Sequence, residues 1–162
     1  MLMDEKIRFV MMPEMRTVSK YVIVRETPDD EIHVVKDFLH EQCLMGTARI
    51  FGCAKEPYAT EETDSYGWVF YASIPNCIRV PDSLVECTLP GGLYAAMPAG
   101  DDVTESWKDF MEYINKRSMY TCDTYRTCLE EFTPGIGNAY NITLYVAVQE
   151  HEGSELDCET MN

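Results

Sequence analysis

The sequence predicts an α+β fold made of two tandem strand-helix-strand-strand repeats, giving one antiparallel sheet with both helices on one face and a ligand cleft at the pseudo-two-fold seam. Three observations carry this expectation. An alternating apolar stretch broken by proline occurs twice, at Ile7 to Val24 around Pro13 and at Leu84 to Met97 around Pro90-Gly91-Gly92. Each is followed by one segment whose apolar residues recur at helical spacing. Two further short apolar runs then complete each copy. A half with one helix over three strands leaves apolar sheet uncovered, so joining two halves is the economical way to bury it. The boundaries that follow are a single domain over 1–150, with repeats at about 7–75 and 84–149, and an acidic, disordered tail over 151–162.

The elements follow in order. Met11, Met12 and Met15 crowd the first strand, and an unbranched thioether suits a wall that must fit several shapes as well as an irregular core. Thr27-Pro28-Asp29-Asp30 places an N-cap, a proline at the first helical position and early acidic residues. Ile32, Val35, Leu39 and Cys43 then line one face of a helix expected to end near Gly46. Ala48 to Ala54 reads as a strand, and Glu56 to Ser65 as an acidic loop. Tyr66 to Ala72 reads as a central strand, since Trp68 and Phe70 fall on one face and Val69 and Tyr71 on the other. In the second copy, Asp102 and Glu105 have capping-box spacing. The stripe Val103, Trp107, Phe110, Met111 and Ile114 is a helix face for the core. Tyr125 to Phe132 and Ile142 to Val148 are the last strands, separated by a turn-rich loop.

Charge and cysteine narrow the function classes. The 162 residues carry 13 Lys plus Arg against 28 Asp plus Glu, a net charge of −15. That field repels phosphate backbones, and no basic patch offsets it, so direct nucleic-acid binding is not expected. It attracts organic cations. No segment has the apolar length of a membrane span, and the first residues lack the pattern of a signal peptide. Seven cysteines without a CxxC pair fit reduced thiols in the cytoplasm rather than a disulfide framework or zinc site. No cofactor and no metal site is expected.

The strand Tyr125 to Phe132 carries the chemistry. Alternation sends Cys128, Glu130 and Phe132 to one face and Leu129 and Glu131 to the other. Only one glutamate can then face a pocket, and Glu130 among apolar neighbours would be costly to desolvate without a cationic or hydrogen-bonding partner. It is a candidate receptor for a bulky organic ligand with a positive or polar tip.

With these segments in view, the chain resembles the GyrI-like small-molecule-binding family, the SHS2-like effector-binding domain of multidrug-responsive and Rob-type transcription regulators. The resemblance spans about Ile7 to Gln149. It rests on Met12 to Val18, on Leu89-Pro90-Gly91-Gly92-Leu93-Tyr94-Ala95, on Cys128-Leu129-Glu130-Glu131-Phe132 and on Ile142 to Val148. It implies that Glu130 lies at the floor of an aromatic cleft and pairs with cationic drugs, with Tyr94 and Tyr145 as walls and Phe132 beside them. Trp68 and Met11 complete the candidate binding set. The family's tyrosine after the glutamate is Phe132 here, and Leu129 replaces an aromatic residue. Because the domain starts within the first ten residues, no upstream DNA-binding helix-turn-helix is expected, and the expectation is a stand-alone sensor or sequestration protein for hydrophobic, cationic organic ligands. Two alternatives stand beside it. One is a metal-independent hydrolase of strained-ring genotoxic compounds, with Glu130 activating water and Tyr94 or Tyr145 donating a proton. The other is a protein-interaction module with a partner such as a topoisomerase or transcription regulator.

Overall fold

The computed structural model describes residues 3–117, 119–137 and 139–150; the tail expected to be disordered lies outside them. The fold is α+β and mostly antiparallel. Nine strands form among the described residues: β1 Arg8–Met12, β2 Met15–Val24, β3 Ile50–Lys55, β4 Tyr66–Ser73, β5 Val85–Leu89, β6 Gly92–Pro98, β7 Tyr120–Cys122, β8 Leu129–Pro134 and β9 Tyr140–Glu150. The helices are a single turn α1 at Met3–Lys6, then α2 at His33–Glu41 and α3 at Val103–Lys116. No helix of the described residues is long and apolar enough to cross a membrane.

The prolines that interrupt the long alternating stretches separate β1 from β2 and β5 from β6, as the sequence leads one to expect. They do more than bend a strand. The chain folds as two compact units, one formed by Pro13–Gly91 with Leu129–Ile142, the other by residues within 3–12, 92–128 and 143–150. The chain crosses between units at Pro13 and again after Gly91, so the units are not the contiguous repeats. Strand pairing shows the exchange: β1 of the first repeat pairs with β6 of the second, while β5 and β8 of the second pair with β2 and β3 of the first. Proline cannot donate to a ladder, so a break there frees the strand to change neighbours.

In the larger unit the strand order is β8-β3-β4-β2-β5. Helix α2 packs on β2 and β4 through Val35, Phe38 and Leu39. Its core gathers Val18, Val24, Ile50, Phe70, Ala72 and Phe132 around that face. Each such apolar side chain contributes about 1.5–3 kcal/mol when fully buried. In the smaller unit β6 lies between β1 and β9, β7 also pairs with β9, and α3 contacts β7. Asp102 Oδ1 accepts from the Glu105 amide at 3.1 Å, and Phe110 and Ile114 are buried with Trp107 tilted against Phe110.

Several elements differ from expectation. Pro28–Glu31 is a 3-10 turn, and the α-helix begins only at His33. It ends at Glu41, five residues before Gly46, because Cys43 takes the left-handed conformation (φ 57°). The Leu44 amide then donates to Leu39 O at 2.8 Å and the Cys43 amide to His40 O at 3.1 Å, closing the helix as glycine usually does. The strand expected from Tyr125 begins at Leu129 and runs on to Pro134. Asp123 is the cause: its carboxylate accepts from the Tyr125 amide and from Arg126 Nε at 3.0 and 2.8 Å, so the chain turns there. Cys128 is consequently exposed and off the strand, and does not share a face with Glu130 and Phe132.

Candidate functional site

Strand β8 pairs with β3 so that Glu130 faces Gly52, Phe132 faces Ile50 and Glu131 faces Phe51. Strand β3 in turn sets Gly52 opposite Phe70 and Ala54 opposite Trp68. Cross-strand pairs share a face. One face of this unit therefore carries Glu130, Phe132, Trp68, Phe70 and, by alternation, Tyr66; the other carries Glu131, Phe51, Cys53 and Tyr71. The first is the face that α2 covers.

Both glutamates are buried, at 7% and 8% exposure, on opposite faces of the strand. On the second face Arg49 grips Glu131 with two bonds, Nε to Oε2 and Nη2 to Oε1, each 2.8 Å, while its guanidinium lies 5.0 Å over the Phe51 ring. Burial drives up the pKa of Tyr71, and the neighbouring Cys53 adds to the rise; the Cys53 thiol donates to the Tyr71 hydroxyl at 4.0 Å.

Glu130's face is aromatic. Trp68 meets Tyr66, Phe70 and Phe132 edge-on at 6.4, 6.1 and 6.3 Å, Phe70 and Phe132 are 5.7 Å apart, and Tyr140 meets Phe132 at 6.1 Å. Lys36 of α2 donates to the Tyr140 hydroxyl at 2.6 Å and lies over that ring. Burial raises the pKa of Tyr66, and the negative charge of Glu130 raises it further. Gly52 lets the indole lie across the strand: a Cβ there would fall 2.5 Å from Trp68 Nε1. That Nε1–H is buried and has no hydrogen-bond partner.

The structure thus brings Glu130, Phe132 and Trp68 together. Tyr94 and Tyr145 belong to the other unit, both buried, with rings edge-on at 6.3 Å. The Arg126 guanidinium lies 4.9 Å over Tyr94, held by Asp123 and by the Val148 carbonyl at 2.8 Å. Burial raises the Tyr94 pKa and this guanidinium opposes the rise. Met11, on β1, is 73% exposed. Sequence reasoning did not single out Tyr66, Tyr140 or Gly52. Tyr66 was readable, being two residues before Trp68 in a strand of period two; Gly52 leaves no such sign. A separate surface cleft of about 390 Å³ is lined by Phe38, Glu41, Gln42, Arg79, Val80, Pro81 and Asp82 and includes none of these residues. Among the described residues no group of three His, Cys, Asp or Glu side chains could hold a metal ion.

The mostly antiparallel α+β fold is consistent with that of the GyrI-like effector-binding proteins. Residues 19–148 match the profile of the Cass2 family, described as integron-associated effector binding protein, and the chain belongs to that family. No curated protein matches it in sequence. Among solved structures it is similar to the C-terminal domain of EcmrR (13% identity, TM-score 0.67, covering 90% of this chain and 98% of that one). It is also similar to SAV2435 bound to tetraphenylphosphonium (12%, TM-score 0.51, 89% and 94%) and to a hydrolase from Listeria innocua (12%, TM-score 0.54, 89% and 92%). At such identities these likenesses speak for the fold alone.

Proposed function

We propose that this chain senses or sequesters hydrophobic, cationic organic molecules, with Glu130 as the charged receptor. The observation that carries the reading is Glu130 itself, 7% exposed on a face otherwise made of Trp68, Phe70, Phe132 and Tyr66. Family membership supports small-molecule binding in general, and SAV2435, of the same fold, holds a lipophilic cation. The net charge of −15 would draw such cations in. Free thiols at the described cysteines suit a reducing compartment such as the cytoplasm. For Tyr94, Tyr145 and Met11 the family resemblance is what supports a binding role.

The test is Glu130→Gln, which keeps shape and removes charge. Titration with tetraphenylphosphonium, followed by tryptophan fluorescence, is expected to show an affinity loss of roughly tenfold or more, the scale of one charge-assisted contact. Unchanged affinity in a folded variant removes Glu130 from the site. Replacing Tyr94, Tyr145 and Met11 singly by Leu asks the same of them.

Hydrolysis of strained rings is the second reading, favoured by the coupling of Tyr66 to Glu130. Glu130 would take a proton from water as its oxygen adds to an electrophilic cyclopropane carbon. The carbon–carbon bond would break, and the resulting carbanion would take the Tyr66 proton. Turnover of such a substrate that vanishes in both Glu130→Gln and Tyr66→Phe would establish it; no turnover by the wild type rejects it.

A further inference from the structure

The surface cleft of about 390 Å³ beside α2 has two walls of different origin. Phe38 and Glu41 come from the C-terminal part of α2, while Arg79, Val80, Pro81 and Asp82 come from the connector between β4 and β5. The connector is neither helix nor strand, yet it is held at both ends by cations of β2. Arg16 Nη1 donates to the carbonyls of Pro75 and Ile78, each at 2.8 Å, and Lys20 Nζ donates to that of Ser83 at 3.1 Å. The cleft is therefore shaped before anything enters it, which spares a guest the cost of ordering a loose loop. Its volume falls in the range of small-molecule sites, about 300–1,000 Å³.

The lining is divided in its chemistry. Phe38, Val80 and Pro81 supply apolar surface that is buried or half-buried. Glu41 on the α2 wall and Asp82 on the connector wall are exposed carboxylates, and Arg79 is an exposed guanidinium. Among the described residues none of these three charged side chains takes part in a salt bridge. Charges of both signs thus line one cleft without closing on each other, and both remain available to a guest. The C-terminal end of α2 adds the negative pole of its dipole on the side of Glu41. A simple cation would suit the carboxylates and be repelled by Arg79; a simple anion would suit Arg79 and be repelled by the carboxylates. We propose that this cleft binds a small zwitterion, a free amino acid with an apolar side chain. Its carboxylate pairs with Arg79, its ammonium with Glu41 and Asp82, and its side chain covers Phe38 and Val80. The site shares no residue with the face that carries Glu130.

Three probes test this at neutral pH: phenylalanine, phenethylamine, which lacks the carboxylate, and 3-phenylpropanoate, which lacks the ammonium. Binding is read from the backbone amide resonances of Gln42 and Val80. The net charge of −15 by itself favours the amine, so the order of affinities is decisive. Phenylalanine is expected to bind about 3- to 5-fold more tightly than either analogue, the upper range for one partly exposed ion pair. Arg79→Gln should weaken phenylalanine by that factor without weakening phenethylamine. Glu41→Gln should weaken phenylalanine and phenethylamine without weakening 3-phenylpropanoate. Both positions are exposed, so the variants are expected to fold. Phenethylamine binding as tightly as phenylalanine, or phenylalanine indifferent to Arg79→Gln, overturns the proposal in favour of a plain cation patch. Unmoved cleft amides at millimolar concentrations of all three probes overturn it altogether. Neither variant alters the Glu130 face, so tetraphenylphosphonium affinity is read separately and either assignment can fail alone.

Discussion

The two faces of β8 hold neighbouring glutamates of nearly equal burial in opposite circumstances. Glu131 is answered within the fold by the two-pronged grip of Arg49. Glu130 stands on the aromatic face with Trp68 and Phe132, where the Trp68 indole N–H has no hydrogen-bond partner among the described residues. The contrast is one of surroundings, a guanidinium on one face and aromatic rings on the other, and burial alone could not have told them apart. A bidentate guanidinium turns a buried carboxylate into a structural member.

The largest expected effect breaks the structural side. Arg49→Met strands Glu131, and because Arg49 is 35% exposed the loss is set below that of a fully buried pair, at about 2–3 kcal/mol in denaturant unfolding. Tetraphenylphosphonium affinity should hold where the variant is folded. Next is Gly52→Ala, which pushes a methyl into the indole. We expect a cost of about 2 kcal/mol and a shifted tryptophan emission, the overpacking penalty of a filled site. Glu130→Gln should change stability by less than about 1 kcal/mol, since a neutral amide is cheaper to bury than a charge. It should also lower the pKa of Tyr66, from which the Glu130 charge is removed, and leave Tyr71 where it is. Ultraviolet titration of the tyrosines reads both.

The smallest effect is confined to alkaline pH. Tyr71 titrates higher in the fold than its ordinary value of 10.0, chiefly through burial. Above pH 10 the unfolded chain loses that proton while the folded chain keeps it, so the unfolded state binds fewer protons and stability falls as pH rises. Below pH 10 the contribution is fully present. Thermal unfolding carried upward from neutral pH should show this decline, and Tyr71→Phe should make it shallower.

Much of the fold was legible along the chain. Pro13 and Pro90 mark real strand ends, the apolar stripes of α2 and α3 are the buried faces, and the alternation around Trp68 identifies a strand paired on both sides. What was not legible has local causes of a different kind. Cys43 closes α2 in a conformation usually left to glycine, so Gly46 misled. Asp123 folds its carboxylate onto the following turn and delays β8 by four residues. The partner of Glu131 could not be read along the chain, because Arg49 lies 82 positions away.

By itself the sequence determined the α+β class, the duplicated order of elements and the choice of Glu130 as the group worth examining, because periodicity and proline act over a few residues and need no distant partner. Only the tertiary structure decided which strands exchange neighbours, which glutamate Arg49 claims, and that Gly52 makes a bed for the indole of Trp68. Those outcomes depend on pairing across long stretches of chain, where a single cross-strand register sets which side chains meet.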